Sequence, residues 1–364
     1  MVRGLAARFL ALALAGALAS AGQLARAADP ERAIAALSGK TKFAGEIIVA
    51  HGNQVIVQHA AGAIDPNRGE RHQPGAVWRW GPITRQLAAV IIMQEVAAGR
   101  LELDAPVRRY YPFFRSPHAA TLTIRQLLHH RSGLPHPDES PRNAQGIAAF
   151  YQPDWSFNAA ANGWCVGPVR FAPGQRTEEN GCDYLVLDAV LQMVSGQGFD
   201  QLAPVRFGQK LSMASLGVLP ATARLVPGFI ANAPEPAMNL AAMGAYGNLV
   251  GTEIDLLRFD RALMTGRLLD PATLATLWRS DQPPGGMAAG QWVHQLTPKG
   301  CAKPVRVIEA RGSAFGVQGR NFILPDLDMV VIAFTNRSEA DFAFGDPAQE
   351  KTFSHELLRA VACA

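Results

Sequence analysis

The chain has 364 residues, of which 48% are hydrophobic and 18% are charged. A chain of this length and composition can bury a sizeable core, which excludes the intrinsically disordered class. The formal net charge is +4, and no cluster of Lys or Arg provides the footprint of a nucleic-acid partner. Lysine is scarce, because only six of the 34 basic residues are Lys and the other 28 are Arg.

The first 27 residues have the pattern of a cleaved secretory signal peptide. Arg3 and Arg8 precede or border an apolar run that is too short to span a bilayer, and Ala25 and Ala27 supply the small residues of a cleavage site. The alternatives are a membrane anchor or an ordinary helix. We expect a mature chain of residues 28–364 with a net charge near +1, periplasmic or secreted, without stable membrane insertion.

Four cysteines lie in the predicted mature chain, and export would permit them to form disulfides. Cys165 and Cys182 flank one glycine-containing stretch, so this pairing is favoured, and Cys301 with Cys363 comes second. The alternative is four buried free thiols. Their spacing matches no zinc site, and the sequence predicts neither a metal nor a cofactor.

Strand patterns occur at both ends of the chain, and helix patterns lie between them. Glu46–Ala50 and Gln54–Gln58 form a predicted hairpin around His51-Gly-Asn53. Helices are predicted over 30–37, 84–98, 185–195 and 349–360, and after the capping residues Thr123, Thr252 and Asp270. Further strands are predicted over 291–296, 305–309, 317–324 and 329–335.

This order predicts a mixed α/β (α+β) fold with a sheet built from both chain ends. We expect a sheet lobe over about 28–80 and 288–364, and a mostly helical lobe over about 81–287. The groove between two such lobes is the default place for a ligand.

Five stretches, in order, resemble the serine β-lactamase and penicillin-binding-protein-like superfamily, in its branch of class C β-lactamases, DD-peptidases and esterases. They are Thr84–Val107, Leu127-Leu-His-His-Arg-Ser-Gly-Leu-Pro135, Pro173-Gly-Gln-Arg176, Gly247-Asn-Leu-Val-Gly-Thr252 and Gly316–Asn336. The resemblance covers roughly residues 35 to 360. It implies an antiparallel sheet flanked by helices, with a helical lobe inserted, and a serine hydrolase chemistry without a cofactor.

The first catalytic motif of that family, Ser-x-x-Lys, is replaced here. The aligned run reads Pro82-Ile-Thr-Arg85, so the nucleophile position carries proline and the lysine position carries arginine. Proline has no nucleophile, and arginine stays protonated and cannot serve as a base. None of the six lysines follows a Ser or Thr by three residues, so the motif is absent in every register.

The second and third family motifs are also replaced. The Tyr-x-Asn motif aligns with Glu179-Asn180-Gly181, although a shift of one residue would retain Asn180 at the last position. The Lys-Thr-Gly or His-x-Gly motif aligns with Ala310-Arg311-Gly312. We therefore expect a family member that has lost the catalysis of its relatives and keeps its cleft for a small or peptidoglycan-derived ligand.

Two arrangements of the replaced residues are open. Arg85 and Glu179 can form an ion pair across the cleft; if they do not, Arg85 and Arg311 are candidates to hold an anionic ligand. Asn180 completes the set of cleft-binding candidates. The rival functions are a hydrolase that uses Thr84 or Ser313 as a relocated nucleophile, and a scaffold or partner-binding protein.

The sequence also contains a group of metal-ligand types, His129, His130, His136 and Asp138. The family stretch that begins at Leu127 already carries a histidine, so we expect a structural role for these side chains rather than a metal site.

Overall fold

A computed structural model describes residues 29–152, 161–282, 285–298 and 300–362. The predicted signal peptide and Cys363 lie outside these ranges, so neither the cleavage site nor the second predicted disulfide is tested. Within the described ranges, no helix is both long and apolar enough to cross a membrane.

The described residues form nine α-helices: α1 Pro30–Thr41, α2 Thr84–Ala97, α3 Val107–Tyr110, α4 Ile124–Leu128, α5 Gly181–Ser195, α6 Phe199–Ala203, α7 Glu253–Met264, α8 Pro271–Leu277 and α9 Phe353–Ala362. They also form twelve strands: β1 Gly45–His51, β2 Gln54–Ala61, β3 Trp78–Arg79, β4 Gly217–Val218, β5 Phe229–Ile230, β6 Ala233–Pro234, β7 Leu249–Gly251, β8 Gly286–Met287, β9 Trp292–Leu296, β10 Val305–Ala314, β11 Val317–Leu324 and β12 Met329–Thr335.

Both ends of the chain contribute to one seven-stranded antiparallel sheet of order β2-β1-β12-β11-β10-β9-β8. Strand β1 pairs along its whole length with β12, from Gly45 opposite Thr335 to His51 opposite Met329. The intervening chain supplies helices α2 to α8 and the short strands. The predicted fold class is therefore confirmed.

The sheet separates two apolar cores, and the alternation along β1 shows why. Ile48 and Ala50 face the larger core beneath α2, whereas Ile47 and Val49 face a smaller core, as the two-residue period of a strand requires. Helices α1 and α9 cover the smaller core. Helix α2 is buried on nearly all sides, which explains its apolar sequence without an amphipathic stripe.

Local capping residues set the helix ends. Thr123 and Gln126 form the predicted capping box at α4, and Thr252 Oγ1 accepts a hydrogen bond from Asp255 N at α7. The predicted start of α9 at residue 349 is wrong, because Thr352 Oγ1 accepts from His355 N, 3.2 Å away, and the helix begins at Phe353. Strand β10 continues beyond the predicted end at residue 309 to Ala314.

Two glycines of the sheet bring the start of α2 against it. A Cβ on Gly312 would lie 2.5 Å from the Trp80 carbonyl oxygen, and a Cβ on Gly319 would lie 2.8 Å from Ile83. Only glycine allows a backbone approach this close. The 3₁₀ turn Gly81–Ile83, which leads into α2, is thereby held beside β10.

Candidate functional site

A cavity of about 360 Å³ opens where the end of β10, the start of α2 and the segment before α5 meet. Its walls carry three arginines, three carboxylates, one histidine and two phenols, together with one serine and smaller apolar groups. The lining residues are Pro82, Arg85, His136, Asp138, Tyr151, Glu179, Met243, Tyr246, Arg311, Ser313, Ala314, Phe315, Arg320 and Glu339.

The start of α2 places the two residues of the replaced first motif in this cavity. Pro82 lies in the 3₁₀ turn that precedes the helix, and Arg85 lies in the first turn of the helix. Thr84, between them, does not line the cavity. It is fully buried, and its Oγ1 accepts a hydrogen bond from Leu249 N at 3.3 Å. A hydroxyl held in this way cannot attack a ligand in the cavity.

Arg85 and Glu179 form the ion pair that the replaced motifs suggested. Arg85 Nη1 lies 2.6 Å from Glu179 Oε2, and Trp292 Nε1 donates to Glu179 Oε1 at 2.7 Å. Burial alone would raise the pKa of Glu179, but the positive charge of Arg85 and these hydrogen bonds outweigh it and lower the pKa to about 2. Glu179 is therefore ionised, and both of its oxygens are engaged.

A buried histidine and aspartate support Arg85 from behind. His130 Nδ1 lies 2.9 Å from Asp183 Oδ2, and Arg85 Nη1 lies 3.4 Å from His130 Nε2. The His130 ring thus lies between Arg85 and Asp183 and contacts both. His130 and Asp183 are both inaccessible to solvent.

Asn180 does not line the cavity, contrary to its place among the cleft candidates. It is buried at the amino end of α5, where Oδ1 accepts from Asp183 N at 3.0 Å and Nδ2 donates to Asp183 Oδ2 at 3.1 Å. The Asn180 side chain thus caps α5 and hydrogen-bonds to Asp183, so its polar atoms are already paired.

Two phenols and a carboxylate that line the cavity form a hydrogen-bonded chain. Tyr151 Oη donates to Asp138 Oδ1 at 2.5 Å and is also hydrogen-bonded to Tyr246 Oη. Burial raises the pKa values of Tyr151 and Tyr246 above the usual range of a tyrosine. They are therefore neutral near pH 7 and act as hydrogen-bonding groups rather than as phenolate bases.

Two further arginines, Arg311 and Arg320, line the cavity. Arg311 Nη2 lies 2.9 Å from Glu309 Oε2 and Arg320 Nε lies 3.3 Å from Glu309 Oε1, so two guanidinium groups share one buried carboxylate. The Arg311 guanidinium also lies over the Trp292 ring, 5.0 Å from its centroid. Ala310, aligned with the first position of the third motif, packs in the larger core instead, and Arg311 faces the cavity.

Ser313 is the relocated nucleophile candidate that does reach the cavity. It follows Gly312 on β10 and is exposed there. Among the described residues, however, no side chain hydrogen-bonds its hydroxyl, so no general base is positioned to take its proton.

The four candidate metal ligands, His129, His130, His136 and Asp138, do not come together in one site. His136 Nδ1 accepts from Asp138 N at 3.0 Å, whereas His129 Nδ1 lies 3.2 Å from Asp281 Oδ2 and His130 faces Asp183. Within the described ranges, no group of three or more His, Cys, Asp or Glu side chains could hold a metal ion.

Comparison with known proteins defines the family. The family model described as Beta-lactamase matches residues 30–352. The chain belongs to the β-lactamase family. As a β-lactamase-like member of a serine hydrolase family, it is similar to esterase EstB of Burkholderia gladioli, with 28% identity over 65% of this chain and 69% of the esterase.

Two further relatives indicate the range of the family. The putative penicillin-binding protein PbpX of Bacillus subtilis is 23% identical over 62% of this chain, and the match spans a little over half, 56%, of that protein. The D-amino acid amidase of Ochrobactrum anthropi SV3 in complex with L-phenylalanine amide superposes with a TM-score of 0.75 at 17% identity, covering 92% of this chain and 98% of the amidase. At that identity the likeness shows the fold alone.

A disulfide fixes the segment that carries Glu179 in this β-lactamase family member. Cys165 and Cys182 are bonded, with a Cα–Cα distance of 5.4 Å, and this is the pairing that the sequence favoured. Cys182 lies in the first turn of α5, three residues after Glu179. The bridge therefore ties the chain around residue 165 to the helix end behind the ion pair.

Several lining residues were not singled out from the sequence, namely Tyr151, Met243, Tyr246, Phe315, Arg320 and Glu339, and neither was Trp292, which binds Glu179. One of them had a usable signal, since Tyr246 directly precedes the family stretch that starts at Gly247. The others reach the cavity only through tertiary packing.

Proposed function

We propose that this chain is a binding protein of the β-lactamase family that no longer carries out the acyl transfer of its relatives. The observation that carries the proposal is the ion pair between Arg85 and Glu179, which stands beside Pro82 where the family pattern has a serine, a lysine and a tyrosine. Arg85 and Glu179 supply the cavity with charged groups that can bind a ligand. Position 82 carries proline, which has no nucleophile.

The chemistry of the cavity supports this proposal. Nucleophilic catalysis needs a hydroxyl or thiol with a base in hydrogen-bond reach. Arg85 cannot accept a proton, and Glu179, with a pKa of about 2, is a weak base whose oxygens already accept from Arg85 and Trp292. The Thr84 hydroxyl is buried away from the cavity, and the Ser313 hydroxyl has no base beside it among the described residues.

The ligand class follows from the charge of the walls. Arg311 and Arg320 both pair with Glu309, and Arg311 also lies 3.9 Å from Asp346 Oδ2, but both guanidinium groups border the cavity and can pair there with an anionic group. A cavity of about 360 Å³ is at the small end of ordinary ligand sites. We propose a cell-wall-derived peptide or another small anionic molecule as the ligand.

Intact-mass measurement tests the absence of acyl transfer. The purified protein is incubated with an excess of penicillin G or of a fluorophosphonate probe, beside an active serine β-lactamase as the positive control. We expect the mass of this chain to stay unchanged while the control is labelled. An adduct on any residue contradicts the proposal, and an adduct that Ser313→Ala abolishes supports the relocated-nucleophile hydrolase instead.

Calorimetric titration with D-alanyl-D-alanine at pH 7 tests the binding role. We expect saturable binding that weakens at least tenfold in Arg311→Gln, because the variant removes one cation from the wall. Lys303→Gln is the matched control, since Lys303 is exposed and does not line the cavity. A failure of D-alanyl-D-alanine and other small carboxylates to bind contradicts a ligand-binding cleft and favours the scaffold or partner-binding hypothesis.

We also propose that the protein is exported to the periplasm or secreted, on the basis of the first 27 residues and of the Cys165–Cys182 disulfide, a bond type that persists in oxidising compartments. Cell fractionation followed by N-terminal sequencing tests this. We expect a periplasmic or extracellular product that starts at residue 28. A cytoplasmic product with residues 1–27 intact contradicts it.

A further inference from the structure

A second cavity, of about 520 Å³, lies among α5, α6 and the chain before β7, apart from the site described above. It shares no lining residue with the first cavity. The 3₁₀ segment Leu240–Tyr246 contributes to both, since Met243 and Tyr246 line the first and Ala241 and Gly244 line the second. The lining residues are Asp188, Gln192, Gly198, Asp200, Gln201, Val218, Leu219, Asn239, Ala241, Gly244 and Asn248.

The charged side chains that line this cavity are acidic. Among the residues that the structure describes, Asp188 and Asp200 are the only ionisable ones that line it, and no Lys, Arg or His does. One oxygen of Asp188, Oδ1, accepts from Phe199 N at 2.7 Å, which leaves Oδ2 for another donor. Such a wall repels anions and favours a cation.

The two carboxylates converge over Gly198. A Cβ on this glycine would lie 3.0 Å from Asp200 Oδ1 and 3.4 Å from Asp188 Oδ1. Gly198 has φ −77° and ψ 170°, which any residue adopts, so its backbone conformation does not require glycine. The missing side chain leaves open the space between the two acids.

A buried amide in the same cavity lacks a partner. Asn248 is 4% exposed, and its Oδ1 makes no hydrogen bond; no bond from its Nδ2 to the described residues is present either. An unsatisfied buried amide is unfavourable, and native proteins usually satisfy such groups with protein, water or ligand. Asn248 is therefore an independent sign that a polar molecule completes this wall.

From these four features we infer that the second cavity binds a small organic amine that also carries hydroxyl groups. The ammonium group would lie between Asp188 and Asp200, and the hydroxyls would reach the amides of Asn248, Asn239 and Gln192. A metal ion is a poorer match, because the cavity is far larger than an ion needs and the described residues offer no group of three metal-ligating side chains.

Calorimetric titration of the purified protein with D-glucosamine at pH 7.5 tests the inference, with N-acetyl-D-glucosamine as the uncharged counterpart. We expect saturable binding of glucosamine and at least tenfold weaker binding of the acetylated sugar. Asp188→Asn and Gly198→Ala should each weaken glucosamine binding tenfold or more, the first by removing charge and the second by filling the space between the acids. Unchanged thermal unfolding of Gly198→Ala would show that this variant is folded.

Asp138→Asn is the matched control, since it removes the same charge from the first cavity. It should leave glucosamine binding unchanged. Three results would overturn the inference: no binding at millimolar glucosamine, equal binding of the acetylated sugar, or loss of binding in Asp138→Asn rather than in Asp188→Asn. Tight binding of Ca²⁺ that competes with glucosamine would also overturn it, because the site would then be a metal site.

Discussion

The ring of Tyr246 occupies the space that a side chain on Gly181 would need. A Cβ on Gly181 would lie 2.7 Å from Tyr246 Cε1. In the register that places Gly181 at the last position of the second family motif, the Tyr246 ring lies where a side chain at that position would project.

Gly181→Asn should destabilise the protein because its side chain would collide with the Tyr246 ring. Overpacking of this kind costs about 1–3 kcal/mol, measured as the change in the free energy of unfolding in urea. Gly39→Asn is the control, since a Cβ on Gly39 meets nothing within 4 Å. Adding Tyr246→Ala to Gly181→Asn should recover part of the loss; a cost equal to that of Gly39→Asn would show that the ring moves freely.

The ion pair between Arg85 and Glu179 should make the free energy of unfolding depend on pH in the acidic range. Because the folded pKa of Glu179 is about 2 and its usual value is 4.5, its contribution is complete above pH 4.5 and is lost as the pH falls toward 2. Glu179→Gln should lower the free energy of unfolding at pH 7 by about 2 kcal/mol, a figure reduced for the 32% of the Glu179 side chain that is accessible.

Urea unfolding of wild type and Glu179→Gln at several pH values measures this effect. The two curves should converge between pH 4.5 and 2. Glu178→Gln is a neighbouring control, because Glu178 pairs with Arg170 and Arg176 instead. A difference between wild type and Glu179→Gln that stays constant down to pH 2 would contradict the prediction.

A second buried carboxylate should have the opposite effect. Burial and the nearby charge of Glu253 raise the pKa of Glu46 to about 8, and both carboxylates accept from Gly75 N, at 2.9 and 3.1 Å. The folded state thus holds a proton that the unfolded chain releases above pH 4.5. Stability should therefore decline as the pH rises from about 4.5 to about 8.

Glu46→Gln removes this titration and should flatten the decline. Thermal unfolding across pH 5 to 8.5 provides the measurement, with the exposed Glu70→Gln as the control. A decline of the same slope in wild type and Glu46→Gln would assign the pH dependence to other groups.

The Cys165–Cys182 disulfide should contribute to stability through the loop that it closes. The two cysteines are 17 residues apart, and a loop of this size corresponds to about 3 kcal/mol in the chain-entropy treatment. Replacement of both cysteines by alanine should lower the free energy of unfolding by roughly that amount. If the double variant matched wild type under oxidising conditions, the bridge would carry no stability.

The sequence was informative where local patterns or motif order decide the structure. Capping at Thr123 and Thr252, the glycine at position 312 and the strands at both ends are readable because each depends on a few neighbouring residues. The pairing of Arg85 with Glu179 could be anticipated because two motif positions of one family must meet in one site. The same alignment places Pro82 and Arg85 at the positions of the first family motif.

The remainder of the site depends on contacts between distant positions. Trp292 donates to Glu179 across 113 residues, and Tyr151 bonds Tyr246 across 95. No local pattern reports such contacts. Asn180 shows the converse, since a polar residue in a motif became a helix cap because the helix begins four residues earlier than predicted.

The pairing of β1 with β12 has a consequence for how the chain is made. In the finished sheet β12 lies between β1 and β11. In the hairpin of residues 45–61, the β1 edge that β12 will cover therefore stays open until residue 335 has been synthesised. During that interval the apolar faces of Ile47, Ile48 and Val49 have no strand partner on that side. Open strand edges promote aggregation, so nascent chains should depend on chaperones. Truncation before β12 should yield insoluble protein even though most of the cavity residues are present.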